Sequence, residues 1–127
     1  MRPRRLLIID DEPEIGALIG KVAEACGYSV SATEHAAEFK SLYDASRPDV
    51  IILDLAIPGT DGVELLRFLA DKESQAQVLI ISGLDRSVLE AAQCLGNARG
   101  LNVAGVITKP LRVADLRVTL GSLCDAA

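Results

Sequence analysis

Four places in the chain carry side chains suited to chemistry, and each lies at the end of a short apolar run. Asp10-Asp11-Glu12 follows the run at 6–9, and Asp54 falls near the end of the run at 50–55. Ser82-Gly83 follows 78–81, and Thr108-Lys109-Pro110 follows 103–107. Asp10, Asp11 and Asp54 supply carboxylates, Ser82 a hydroxyl and Lys109 an ammonium. Clustered carboxylates repel one another unless a cation sits among them. Oxygen donors without His or Cys suit Mg²⁺, with Mn²⁺ as a substitute. Such a cation and Lys109 together would neutralise an incoming phosphoryl group. An Asp carboxylate can attack phosphorus to give an acyl phosphate, and phosphoryl transfer asks little more of a protein than positioning and charge neutralisation.

Each piece also has a plainer role. The acidic run could cap a helix and favour its dipole. Asp54 could cap a turn before Pro58. Ser82-Gly83 and Lys109-Pro110 could be simple turns. Four coincidences at four strand ends are harder to accept than one shared site.

The elements that would position these groups follow from the apolar pattern. The runs at 6–9, 50–55, 78–81 and 103–107 are continuous rather than alternating, apart from Ala104-Gly105 in the last. Strands buried on both faces read this way. A weaker run at 28–32 follows Gly27 and fits an edge strand. Between the runs, apolar residues recur at helical spacing: Ile15, Leu18, Ile19 and Val22 in 13–26; Phe39, Leu42 and Tyr43 in 34–46; Val63, Leu66 and Leu69 in 61–73; Val88, Ala92 and Leu95 in 85–100; and Val113, Leu116, Leu120 and Leu123 in 112–125. Pro13 suits a first helical turn and Gly27 a helix end. Five β-α units in succession predict an α/β doubly wound parallel sheet with right-handed crossovers. Its ligand site lies beyond the carboxyl ends of the strands, where all four groups fall.

Composition narrows the classes. The 127 residues predict one domain, 1–127. Half are hydrophobic but only 3% aromatic, so the core is aliphatic. The net charge of -5 argues against nucleic acid and anionic membrane as partners. Arg2, Arg4 and Arg5 read as a solvated lead-in. Cys26, Cys94 and Cys124 lack metal-ligand spacing and read as reduced, mostly buried thiols. His35 is the single histidine, which excludes a multi-histidine metal site and leaves His35 a surface role. No apolar stretch nears the roughly 18 residues that span a bilayer, and no signal-peptide core is evident. The expected location is cytoplasmic.

Asp10-Asp11, Asp54 with Pro58 and Asp61-Gly62, Ser82-Gly83 and Lys109-Pro110 together resemble the receiver domain of two-component response regulators. The likeness covers essentially the whole chain and keeps motif order. It implies a flavodoxin-like (βα)5 sheet in strand order 2-1-3-4-5 and a signalling switch rather than a turnover enzyme. It implies that Asp54 accepts a phosphoryl group from a histidine kinase or phosphotransfer protein. It further implies that Asp11 binds Mg²⁺ directly, Asp10 mainly through water, and Asp54 and the Ala56 carbonyl complete the metal set. Lys109 would pair with phosphoryl oxygens, the Ser82 hydroxyl would move toward them, and the Ala56 and Gly83 N–H groups would add contacts. The peptide before Pro110 is expected in cis. Receivers often form homodimers through the face of the fourth helix, fifth strand and fifth helix.

Three departures stand out. Val106 occupies the position where receivers commonly carry a rotating aromatic ring. Ala56 and Leu84 replace side chains that are often polar and affect dephosphorylation. Ser82 and Lys109 are 27 positions apart, with the extra length expected around 93–102 in the fourth helix. That longer segment resembles receivers fused to cyclic-di-GMP phosphodiesterase (EAL) domains, and the sequence given ends just after the fifth helix. A single-domain receiver and a piece cut from such a fusion both stay open, as does the output partner. Two rival functions remain: a receiver-like interaction module that works without phosphorylation, and a Mg²⁺-dependent phosphatase or nucleotide-binding protein on a similar α/β sheet. Haloacid-dehalogenase-type phosphatases carry a second Asp two residues after the first-strand Asp; here Pro13 stands two residues beyond Asp11 and no such spacing exists.

Overall fold

Strands and helices alternate strictly in the computed structural model, which describes residues 3–56 and 62–125. In chain order they are β1 (Arg5–Ile9), α1 (Pro13–Ala25), β2 (Ser29–Thr33), α2 (Ala36–Ser46), β3 (Val50–Asp54), α3 (Gly62–Asp71), β4 (Gln77–Ser82), α4 (Arg86–Ala98), β5 (Asn102–Thr108) and α5 (Val113–Asp125). All strand pairs are parallel, in the order β2-β1-β3-β4-β5. This is the flavodoxin-like arrangement expected from the motifs. Pro58 and Asp61 lie outside the described residues.

The continuous apolar runs are explained by burial on both faces. Successive residues of β1, β3 and β4 alternate between two cores. Leu7, Ile9, Ile51, Leu53, Val78 and Ile80 pack with Phe39, Leu66 and Leu89 from α2, α3 and α4. Leu6, Ile8, Val50, Ile52, Leu79 and Ile81 pack with Ile19, Leu116 and Leu120 from α1 and α5. A fully buried aliphatic side chain contributes about 1.5–3 kcal/mol relative to exposure, so a one-residue slip in any central strand would misplace its whole set.

The break at Ala104-Gly105 has a structural cause. Val78 pairs with Val103 but Leu79 pairs with Gly105, so Ala104 is an extra residue, a β-bulge. Val103 and Val106 consequently face one core and Ile107 the other. Strict alternation would have separated Val103 from Val106. Side chains of α4 hold the bulge: Asn97 Oδ1 accepts from the Val103 N–H at 3.0 Å, and Gln93 Nε2 donates to the Val103 carbonyl at 3.4 Å. The register beyond it sets Thr108 beside Ser82, and the Lys109 N–H donates to the Ser82 carbonyl at 2.8 Å. The bulge thus helps deliver Lys109 to the site.

Some expectations needed correction. Tyr28 precedes β2 rather than opening it; it is buried, and its hydroxyl donates to the Leu120 carbonyl at 2.8 Å. Arg4 and Arg5 are half-buried rather than solvated. Arg4 donates to Gln77 Oε1 and Arg5 to the Ser46 carbonyl, because β1 starts inside the sheet. Cys94 is exposed and Cys26 half-buried, both free thiols; the Cys124 side chain lies outside the described residues. Val88 and Val113, placed by periodicity on core stripes, are 48% and 38% exposed. His35 is exposed, at the start of α2, as expected. No described helix is long and apolar enough to cross a membrane.

Gly62 opens α3 against the residue that follows Asp54. A Cβ there would lie 2.6 Å from Leu55 Cα and 2.7 Å from its carbonyl oxygen. Gly62→Ala is expected to cost about 1–3 kcal/mol in urea unfolding. Gly83→Ala, whose Cβ meets nothing within 4 Å, should stay within about 0.5 kcal/mol of wild type.

Candidate functional site

The carboxyl ends of β1, β3, β4 and β5 converge as the fold requires. Asp10 directly follows β1, Asp54 ends β3, Ser82 ends β4 and Lys109 follows β5. Asp10 and Asp54 are each 1% exposed and Ser82 is fully buried. Asp10, Asp11, Glu12 and Asp54 each offer a carboxylate oxygen, all within 4.8 Å of one another. Lys109 reaches into this group. Its ammonium donates to Glu12 Oε1 at 2.7 Å, Asp54 Oδ2 at 3.1 Å and Asp10 Oδ1 at 3.3 Å. A lysine has three N–H donors, and all three are used here.

Backbone groups hold the acids in place. The Glu12 N–H donates to Asp10 Oδ1 at 2.8 Å, and the Ala56 N–H donates to Asp54 Oδ1 at 2.9 Å. The Asp10 N–H is bound to the Thr33 carbonyl at 3.1 Å, tying the acidic turn to β2. The Ser82 Oγ accepts from the Leu84 N–H at 3.2 Å. The Lys109–Pro110 peptide is cis, as expected.

Glu12 is the site residue whose role the sequence did not disclose. It sits at the N-cap of α1, but its side chain makes no capping bond. It turns instead to Lys109, 97 residues away in the chain. A carboxylate next to Asp10-Asp11 was the available signal; that it faced β5 was visible only in the fold.

The electrostatics favour a cation. Four carboxylates against one ammonium leave a formal charge of −3. Burial raises the Asp10 pKa above the ordinary carboxylate range, and the Asp54 charge adds to this; the Glu12 N–H and Lys109 oppose it incompletely. Burial alone would lower the Lys109 pKa, but its bonds to Glu12, Asp10 and Asp54 outweigh that and push it above the usual lysine range. Asp10 Oδ2 is buried, lies 3.0 Å from the Lys109 nitrogen, and still lacks a hydrogen bond. An unfilled buried carboxylate oxygen among all-oxygen donors fits a hard divalent cation.

Fold and site together define a small doubly wound α/β domain with a cation-ready acidic edge. The family model of the response regulator receiver domain matches residues 6–120, and the chain belongs to that family. A response regulator from Colwellia psychrerythraea superposes with a TM-score of 0.85 at 36% identity, covering 98% of both chains. The positive alginate biosynthesis regulatory protein of Pseudomonas aeruginosa is 31% identical over 91% of this chain. The transcriptional regulatory protein TrcR of Mycobacterium tuberculosis is 29% identical over 95%. The chain spans 45% of the length of each of these two regulators.

A cation in this cluster predicts linked stability. Saturating Mg²⁺ should raise the unfolding free energy, by about 2.7 kcal/mol at a hundredfold excess over its Kd, and Asp11→Asn should abolish most of that gain. The metal-free protein also carries a pH signature. Asp10 keeps its proton to higher pH in the fold than in the unfolded chain, whose ordinary value is 3.8. Its contribution therefore falls as pH rises from 3.8 through the raised value. In chelator, Asp10→Asn should remove that slope and unfold at higher urea than wild type above it.

Proposed function

We propose that this domain is a phosphorylation-controlled switch in which Asp54 accepts a phosphoryl group from the phosphohistidine of a histidine kinase or phosphotransfer protein. The observation that carries the reading is the Lys109 ammonium bridging Asp54 and Asp10 inside a cluster of four carboxylates. An Asp54 carboxylate oxygen forms the new P–O bond as the donor's P–N bond breaks, and the imidazole leaves with the electron pair. Lys109 is placed to follow Asp54 Oδ2 onto phosphoryl oxygens. The Ala56 N–H, already on Asp54 Oδ1, stands beside the reacting group. Asp10, Asp11, Asp54 and the Ala56 carbonyl would hold Mg²⁺, which when bound neutralises charge on the phosphoryl oxygens.

The response is read through β4 and α4. Val106 is half-buried against the core and has no ring to rotate. Ser82 Oγ instead holds the Leu84 N–H. If the hydroxyl turns toward a phosphoryl group, that bond is released and the loop at 83–86 is freed. Leu84, 41% exposed, borders an apolar cleft of about 270 Å³ with Leu55, Val63, Val88 and Leu95. Asp54 precedes Leu55 in the chain and Ser82 bonds the Leu84 N–H, so each is joined to a residue of the cleft lining, which supports a partner contact modulated there. Val118 on α5 is 71% exposed, in keeping with pairing through α4, β5 and α5. The longer Ser82–Lys109 segment also suits an EAL-type domain of the full protein as the output.

A receiver-like module that acts without phosphorylation is the second reading, and the acidic cluster weighs against it. Incubation with acetyl phosphate and Mg²⁺, followed by intact mass, separates the two. Wild type should gain one phosphoryl unit and Asp54→Asn none; no gain in wild type would favour the module. Amide exchange with a phosphoryl mimic should change in the loop at 83–86 and in α4, and unchanged protection there would overturn the proposed route.

A further inference from the structure

The strongest unassigned feature of the molecule is the contact between Glu12 and Lys109. At 2.7 Å it is the shortest of the three ammonium bonds. We propose that Glu12 is a counter-anchor for Lys109: it holds the ammonium back from phosphoryl oxygens and so limits the rate at which Asp54 is modified. The proposal rests on the reading of Asp54 as phosphoacceptor and assigns a positioning residue within that site.

The argument is one of donor supply. All three N–H groups of Lys109 are engaged, so a new bond to a phosphoryl oxygen requires the loss of one. The bond to Asp54 is carried onto the modified side chain. The bond to Asp10 competes with the cation, since Asp10 is the buried acid with the unfilled oxygen. Glu12 is the partner with neither fate. Its backbone is fixed at the N-cap of α1, where its carbonyl accepts from Ile15 and Gly16 at 3.0 and 3.1 Å. Its side chain is 53% exposed, which places it at the rim from which a donor must approach. An ion pair with one exposed partner is weak, so the anchor slows Lys109 rather than trapping it. Its loss should accelerate phosphoryl uptake by about two- to fivefold.

The test uses Glu12→Gln and Glu12→Asp with acetyl phosphate at saturating Mg²⁺, followed by intact mass. Glu12→Gln removes the charge; Glu12→Asp keeps it but is one methylene too short for the contact. Both should gain the phosphoryl unit faster than wild type. In Mg²⁺-free protein, the Lys109 ammonium ¹⁵N resonance should shift and its protons exchange faster in both variants. Calorimetric Mg²⁺ affinity should change by no more than about threefold. Acceleration in Glu12→Gln alone would mean that charge, not the anchor, controls the rate, and would overturn the proposal. So would a collapse of Mg²⁺ affinity, which would make Glu12 a metal ligand, or an unmoved Lys109 resonance. A wild-type protein that takes up no phosphoryl group would instead defeat the reading of Asp54 on which the proposal stands.

Discussion

One lysine ammonium set against four carboxylates is the interaction on which the rest of this structure turns. Asp10 and Asp54 are buried side by side, an arrangement that costs free energy in a low-dielectric site. Lys109 offsets part of that cost through bonds to Asp10, Glu12 and Asp54. It cannot offset all of it, because Asp10 Oδ2 stays without a donor. The fold therefore tolerates a site whose charges are incompletely balanced.

The scaffold tolerates this because its stability lies elsewhere. The aliphatic residues of β1, β3 and β4 are fully or nearly fully buried, and two cores sandwich the sheet. Within β1, β3 and β4 the interior positions are all apolar, and polar side chains stand only at the strand ends. The sheet fixes those ends within bonding reach through parallel register. β5 is the exception, an edge strand that is only half-buried along most of its length. There the bulge at Ala104 and its ties to Gln93 and Asn97 take over the task of setting register. Lys109, the one cation of the cluster, is thus delivered by the least regular strand.

Most of the fold was legible because burial on both faces writes itself as unbroken apolar runs. β2 was weak in the sequence for the same reason in reverse: its edge position leaves Ser29 and Ala32 exposed. Ala104-Gly105 was seen as a break but not as a bulge, since a bulge is defined by the partner strand. The helical stripes overreached at Val88 and Val113. Periodicity reports an apolar face and says nothing of whether another element covers it. The site was legible as a set of residue types at strand ends. Its internal wiring was not: Glu12 looked like a helix cap, and the bond between the Ser82 hydroxyl and the Leu84 N–H is not written in residue type.

Those two details separate capture of a phosphoryl group from its transmission. On the proposed reading, capture needs charge and position, and the cluster brings its four carboxylates within 4.8 Å of one another. Transmission needs a bond that is made in one state and broken in another. The Ser82–Leu84 bond is such a candidate, because it joins a buried hydroxyl to a half-exposed leucine at the mouth of an apolar cleft. A side-chain rotation at Ser82 is small, but a leucine moved at the rim of a cleft of this size alters what can pack there. The absence of a ring at Val106 then removes one conventional lever and leaves the Ser82–Leu84 bond in the β4–α4 loop as the contact that a turn of the buried hydroxyl would break.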